Sequence, residues 1–117
     1  ILDFATSLVA EGKVLVASQG GKALPADALV SAEGRASSDP HELYGDYDPA
    51  SGIRDHKKGK GALRAFGDHK GSGLALMCEL LGGALTGNGA SDPEKRWSQG
   101  MFSFYVDPQR VDPEQML

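Results

Sequence analysis

A chain of 117 residues with a formal net charge of -4 and a pI near 5.2 has room for one domain, and it lacks the net basic face that nucleic-acid binding requires. One cysteine, Cys78, excludes an intramolecular disulfide, and no run of about 18 apolar residues offers a membrane span. Ile1 to Ala10 carries Asp3 and no basic stretch, so no signal peptide is read there; with a reduced thiol, this sets the expectation of a cytoplasmic protein.

Ile1-Leu2-Asp3-Phe4 reads as a strand end, with Thr6 or Ser7 capping the helix after it. Leu8, Val9, Leu15 and Val16 then recur at helical period until Gln19-Gly20-Gly21, where glycine supplies a stop. Gly12 weakens this helix by about 1 kcal/mol relative to alanine; a strand over Val14 to Ala17 is the alternative. From Lys22 to Arg64 periodicity fades and the chain is expected to be mostly loop. Within it Ala28-Leu29-Val30 is a short extended piece, Ala32 to Arg35 a turn, and Ser38-Asp39-Pro40 the cap of one helical turn through Tyr44. A flexible loop is expected at about 45–61. There His56, Lys57, Lys58 and Lys60 can approach a phosphate or simply form a solvated basic tip.

Next comes the stretch around which the chain is organised: Phe66-Gly67-Asp68-His69-Lys70-Gly71-Ser72-Gly73, a polar glycine-rich turn, feeding Leu74-Ala75-Leu76-Met77-Cys78-Glu79-Leu80-Leu81. Leu74, Met77, Cys78, Leu81 and Leu85 fall at helical spacing, and Ala75, Leu76 and Leu80 fill the remaining circumference, so the spacing predicts a buried helix with a buried thiol. The first turn of such a helix presents unpaired N–H groups. With His69 and Lys70 beside them, that end suits a phosphate or carboxylate, the alternative being plain chain reversal. Gly59-Lys60-Gly61-Ala62-Leu63-Arg64 and Gly71-Ser72-Gly73-Leu74-Ala75-Leu76 both miss the sixth glycine of G-x-G-x-x-G, and no Walker A pattern occurs. Thr86 to Gly89 closes the helix, and Ser91-Asp92-Pro93-Glu94 caps another turn. Gly100 to Pro108 reads as an aromatic strand, and Val111-Asp112-Pro113 starts a further helix.

Asp68-His69-Lys70-Gly71-Ser72-Gly73-Leu74-Ala75 with Cys78-Glu79-Leu80-Leu81-Gly82-Gly83-Ala84-Leu85-Thr86-Gly87 resembles the malate/lactate/ureidoglycolate dehydrogenase family, the type 2 malate and L-lactate dehydrogenases. Two further segments carry the likeness. Leu2-Asp3-Phe4-Ala5-Thr6-Ser7 resembles the family's Asp-x-Ala-Thr-Ser, and the run from Gln99 and Gly100 to Asp107-Pro108 resembles a family strand preceded by an amide side chain. The likeness covers roughly 1–20, 33–42, 62–87 and 97–108, whereas Asp46 to Gly61 matches no family pattern.

The resemblance implies an α+β fold, a mixed and largely antiparallel sheet flanked by helices, forming a non-Rossmann NAD(P)-binding domain. It implies that residues 1–117 are a partial cofactor-binding domain of a larger dehydrogenase, and the opening at Ile1 without an initiator Met agrees with a piece of a longer protein. The implied activity is hydride transfer between NAD or NADP and a small 2-hydroxy, 2-oxo or 2-imino acid. Asp3, Ala5, Thr6, Ser7, His69, Lys70 and Gln99 would lie near the cofactor. A homodimer is implied, with the remainder of the parent polypeptide as a further partner and neither nucleic acid nor membrane. The family's acid/base histidine and carboxylate-binding arginine belong upstream of Ile1, so no catalytic residue is assigned here, His41 and His56 included, and the isolated chain is expected to be inactive. Arg96 can meet a substrate carboxylate or remain a surface residue. Metal ligation has no Cys pair or His-x-x-x-His to rest on. A non-catalytic anion-binding module and an inert self-associating fragment are the alternatives.

Overall fold

The computed structural model describes residues 3, 5–46, 58–92, 94 and 99–111, which fall into two compact units, 1–75 and 76–117. In the first unit α1 (Glu11–Ser18), β1 (Leu29–Val30), β2 (Ala36–Ser37), α2 (His41–Tyr44) and β3 (Ala62–Leu63) precede α3 (His69–Cys78), which crosses into the second unit. A π-helical segment, Glu79–Ala84, continues α3, and α4 (Pro108–Val111) comes last. The fold is α+β, as the resemblance implied.

The sheet is small and antiparallel, in the order β2-β1-β3. Leu29 stands opposite Ser37 on one side and Leu63 on the other, and Val30 opposite Ala36 and Ala62. The extended piece expected at 28–30 is thus the central strand. Leu29 and Ala28 are fully buried and join Val9, Val14, Leu43 and Tyr44 in the core, with Leu15, Leu24 and Leu63 packed against it. The strands stay two residues long because glycines and turns flank them. Gly61 donates its N–H to the Glu42 carbonyl at 2.7 Å, and a side chain on Gly59 would overlap the backbone of Leu43. The Gly-Lys-Gly run is therefore a packing device that lets β3 approach α2.

The helix expected from Leu8 begins at Glu11 instead. Ser7 is held extended by an antiparallel bridge to Ala65, and its Oγ donates to the Val9 carbonyl at 2.8 Å, so neither Thr6 nor Ser7 caps α1. Ala10 takes the cap position with an extended backbone. The stop at Gln19-Gly20-Gly21 is as expected. Gly20 turns left-handed (φ 81°) and donates to the Ala17 carbonyl, while Gly21 donates to Val16, the pair of bonds that closes a Schellman motif. At α2, Asp39 Oδ1 accepts the His41 N–H at 3.0 Å, as the expected cap requires.

Three expectations need correction. First, the reversal before the central helix lies at Gly67 (φ 54°) and Asp68 (φ 49°), and α3 already includes Gly71 and Gly73. Second, this helix is not buried: Leu76 is 59% and Leu80 48% exposed, Leu74, Met77 and Leu85 are exposed as well, and Cys78 is an exposed free thiol. A helix apolar around its whole circumference needs cover on several sides, and among the described residues that cover is not present. Third, residues 101–107 form no strand. Tyr105 is 90% exposed, and strand-forming residues with no ladder partner among the described residues are not held extended by a sheet. The further helix expected from Val111 falls mostly on residues 112–117, outside those described.

The π-helical segment is not foreshadowed by any local pattern. Leu85 donates to Leu80 and Asn88 to Gly83, each five residues back, and Thr86 Oγ1 donates to the Gly82 carbonyl at 2.6 Å.

Candidate functional site

Two of the sequence-designated stretches of the first unit, Thr6–Ser7 and His69–Lys70, flank one turn. The Phe66 N–H donates to the Thr6 carbonyl at 3.1 Å, Leu8 donates to the Arg64 carbonyl at 2.9 Å, and Ser7 bridges Ala65. The extended 6–8 segment is thereby fastened alongside the chain that leads into α3. Gly71 completes the contact from the helix side. It is buried, its N–H donates to Phe66 O at 2.8 Å, and a Cβ there would overlap the Thr6 carbonyl. His69 and Lys70, the first two residues of α3, are exposed next to this junction. Thr6 and Ser7 are half-buried, while Asp3 and Ala5 are exposed.

One part of the expected chemistry changes. The N–H of Lys70 donates to the Gly67 carbonyl and that of Gly71 to Phe66, so most of the first-turn amides face the protein's own turn. An anion at this end would be met by the side chains of His69 and Lys70 more than by helix amides. The Lys70 stem lies against Gly67, where a Cβ would come within 3.3 Å of Lys70 Cδ. That packing leaves the ammonium at the end of a partly restrained arm.

Arg64, not singled out in the sequence, sits at the centre of the polar contacts. Its Nε and Nη2 donate to Asp68 Oδ1 at 3.3 and 3.2 Å, and its Nη1 lies 3.9 Å from Asp27 Oδ2. No spacing rule finds such a residue, because its partners lie both 37 residues upstream and one helical turn downstream.

Gln99 belongs to the second unit, where its backbone carbonyl accepts from Asn88 Nδ2 at 3.2 Å. Asn88 also donates to Thr86 Oγ1, and Gly100 packs so tightly on the Gly82 carbonyl that no Cβ fits. In the same unit Glu79 accepts both the hydroxyl and the N–H of Ser91, at 2.6 and 2.7 Å, and these bonds hold its carboxyl below the usual range.

Of the other polar residues, His41 is engaged through Nδ1 with Asp39 at 2.6 Å, and the His41 N–H and ring hold the Asp39 carboxyl below its ordinary value. Lys58 and Lys60 are exposed; His56, Lys57 and Arg96 lie outside the described residues. Among the described residues no cluster of His, Cys, Asp and Glu could hold a metal, and no helix is long and apolar enough to cross a membrane.

Residues 1–117 match the family model described as malate/L-lactate dehydrogenase. Δ1-pyrroline-2-carboxylate reductase 2 of Burkholderia multivorans is 37% identical over 101 residues, covering 86% of this chain and 25% of that protein. L-sulfolactate dehydrogenase of Methanothermobacter thermautotrophicus is 32% identical over 122 residues, covering 97% of this chain and 31% of its own length. The crystal structure of Δ1-piperideine-2-carboxylate reductase from Pseudomonas syringae superposes with a TM-score of 0.57 at 33% identity, covering 85% of this chain and 27% of that one. The chain thus spans about a quarter to a third of the length of these relatives.

Proposed function

Because the chain belongs to the malate/L-lactate dehydrogenase family, we propose that it supplies part of the nicotinamide-cofactor site of an NAD(P)-dependent oxidoreductase acting on a small 2-hydroxy, 2-oxo or 2-imino acid. The reading is carried by one observation: the Thr6–Ser7 segment and the turn bearing His69 and Lys70 are fastened together through Phe66 and Gly71. Segments far apart in sequence are thereby joined, so that a stretch bearing two hydroxyl side chains runs beside the turn that carries an exposed switchable imidazole and an exposed fixed cation.

The residues fit the group they would hold. A dinucleotide carries phosphate charge, ribose hydroxyls and a carboxamide, and the bound nicotinamide supplies or accepts the hydride. Lys70 offers a compact cation to a phosphate oxygen. His69 donates to a phosphate or a ribose hydroxyl. The Thr6 hydroxyl can both donate and accept, which suits a carboxamide, the Ser7 hydroxyl, already donating to the Val9 carbonyl, can still accept, and Asp3 and Ala5 complete the proposed set within this unit. Proton transfer to the substrate is assigned to no residue of this chain. NAD and NADP are both compatible with these groups, and the full protein is read as a cytoplasmic homodimer.

Titration of the whole protein with NADH and NADPH, monitored by cofactor fluorescence, tests this. Lys70→Ala should weaken binding about tenfold, the size of one charge-assisted contact, with a steeper salt dependence in the wild type. Unchanged affinity in both Lys70→Ala and His69→Ala would remove the site. The exposed Leu76, Leu80 and Leu85 favour a second reading for the isolated chain, self-association without cofactor binding, which light scattering beside the same titration separates.

A further inference from the structure

We infer that Arg64 is a positioning residue for this cofactor surface: its guanidinium holds the left-handed Gly67–Asp68 turn and thereby aims His69 and Lys70 beside Thr6. The inference rests on the proposed cofactor reading for its consequence in binding, and on geometry alone for the hold on the turn.

Among the described residues only two other than glycine adopt positive φ, Asp27 at 59° and Asp68 at 49°. Both direct a carboxylate at Arg64. Asp68 Oδ1 accepts from Nε and Nη2, and Asp27 Oδ2 lies 3.9 Å from Nη1. Glycine would adopt either backbone conformation freely, so a carboxylate at both positions, each turned to the same guanidinium, indicates that the side chains matter. The guanidinium is the better shielded member: the Arg64 side chain is 32% exposed, against 61% and 73% for Asp27 and Asp68.

The backbone of the same residue ties in the remaining segments. Arg64 donates its N–H to Ala28 O at 3.1 Å, and its carbonyl accepts from Leu8 at 2.9 Å. One residue therefore joins the turn before β1, the extended 6–8 segment and the turn that opens α3. A lysine in its place would offer a single point of charge to Asp68, where arginine offers two N–H groups of a planar fork.

The test compares Arg64→Met, Arg64→Lys, Asp68→Gly and the double variant Arg64→Met with Asp68→Gly in the whole protein. Arg64→Met should raise the KM for the reduced cofactor about fivefold and leave kcat within twofold, with Arg64→Lys intermediate. In the Asp68→Gly background, Arg64→Met should change KM less than twofold, because the group through which it acts is gone. Amide exchange gives a reading independent of the cofactor: in Arg64→Met the amides of Lys70 and Gly71 should exchange several-fold faster, and those of Leu29 and Val30 at the wild-type rate.

Faster exchange confined to 70–71 in a protein that binds neither NADH nor NADPH would remove the cofactor reading and leave the hold on the turn intact. Unchanged exchange there, or an equal KM effect in both backgrounds, would overturn the inference, as would acceleration that includes β1. If Arg64→Met does not fold, Asp68→Asn keeps a side chain tolerant of the left-handed backbone and removes the charge. Unaltered exchange at Lys70 and Gly71 in that variant would equally overturn it.

Discussion

Gly71 and Gly73 lie two residues apart in α3, yet substitution by alanine should move stability in opposite directions. A Cβ on Gly73 meets nothing within 4 Å, so Gly73→Ala should realise the ordinary helix-propensity gain of about 1 kcal/mol. A Cβ on Gly71 would overlap the Thr6 carbonyl oxygen and sit 2.7 Å from both the backbone N and O of Phe66, closer than Cβ atoms are found to anything. These are main-chain atoms fastened by the Phe66 to Thr6 hydrogen bond, so no rotamer change relieves the overlap. The cost falls toward the upper end of the overpacking range, about 3 kcal/mol. After the same propensity gain of about 1 kcal/mol, Gly71→Ala should destabilise by about 2 kcal/mol. The two variants then differ by about 3 kcal/mol, roughly two orders of magnitude in the folding equilibrium. Urea unfolding of both variants measures the difference, and cofactor titration should show weaker binding only for Gly71→Ala, because Thr6 must retreat. Equal stabilisation by both substitutions would refute the idea that the 6–8 segment is seated on the first turn of α3.

The same geometry sets other outcomes. Asp39, its carboxyl held below the ordinary value by the His41 N–H and ring, contributes stability that is present above its unfolded pKa and lost as pH falls through the folded one. Asp39→Asn should therefore flatten the acid limb of the stability curve below about pH 4 by a few tenths of a kcal/mol, since the pair is solvent-screened, as urea unfolding between pH 3 and 6 would show. Ser91→Ala removes the stronger of two bonds to Glu79, so the Glu79 carboxyl should titrate closer to the ordinary carboxylate range in an NMR pH series. Gly61→Ala should destabilise by about 1–3 kcal/mol, because a Cβ there stands 2.5 Å from the Val30 carbonyl oxygen, and calorimetry would register the loss.

Local signals in the sequence located the glycine stop of α1, the Asp39 cap of α2 and the extended piece at Leu29, since each depends on neighbours a few residues away. The start of α1 was not legible from periodicity. Leu8 and Val9 carry the helical spacing, but the bridge between Ser7 and Ala65, 58 positions apart, keeps that stretch extended. The glycines at 71 and 73 read as a turn because nothing local distinguishes a glycine needed for φ from one needed for close approach. Asp68, a residue more tolerant of the left-handed region than most, makes the turn instead. The apolar run from Leu74 was legible as a helix, but its exposure was not, because apolarity around a helix announces a need for cover without saying which chain provides it. Thr6, Ser7, His69 and Lys70 were legible as a group only through family resemblance. Arg64 was invisible, its part being defined by contacts on three separated segments.

The widened turn at Glu79–Ala84 fits one more residue into a revolution than a regular helix does. Its surplus residue is absorbed within the turn, and the chain of contacts beyond it, from the Gly82 carbonyl through the Thr86 hydroxyl and Asn88 to the Gln99 carbonyl, is built on that extra length. Deleting one of Gly82 and Gly83 would draw that chain in by a residue at its first link, so the hold on Gln99 would change without Gln99 itself being touched.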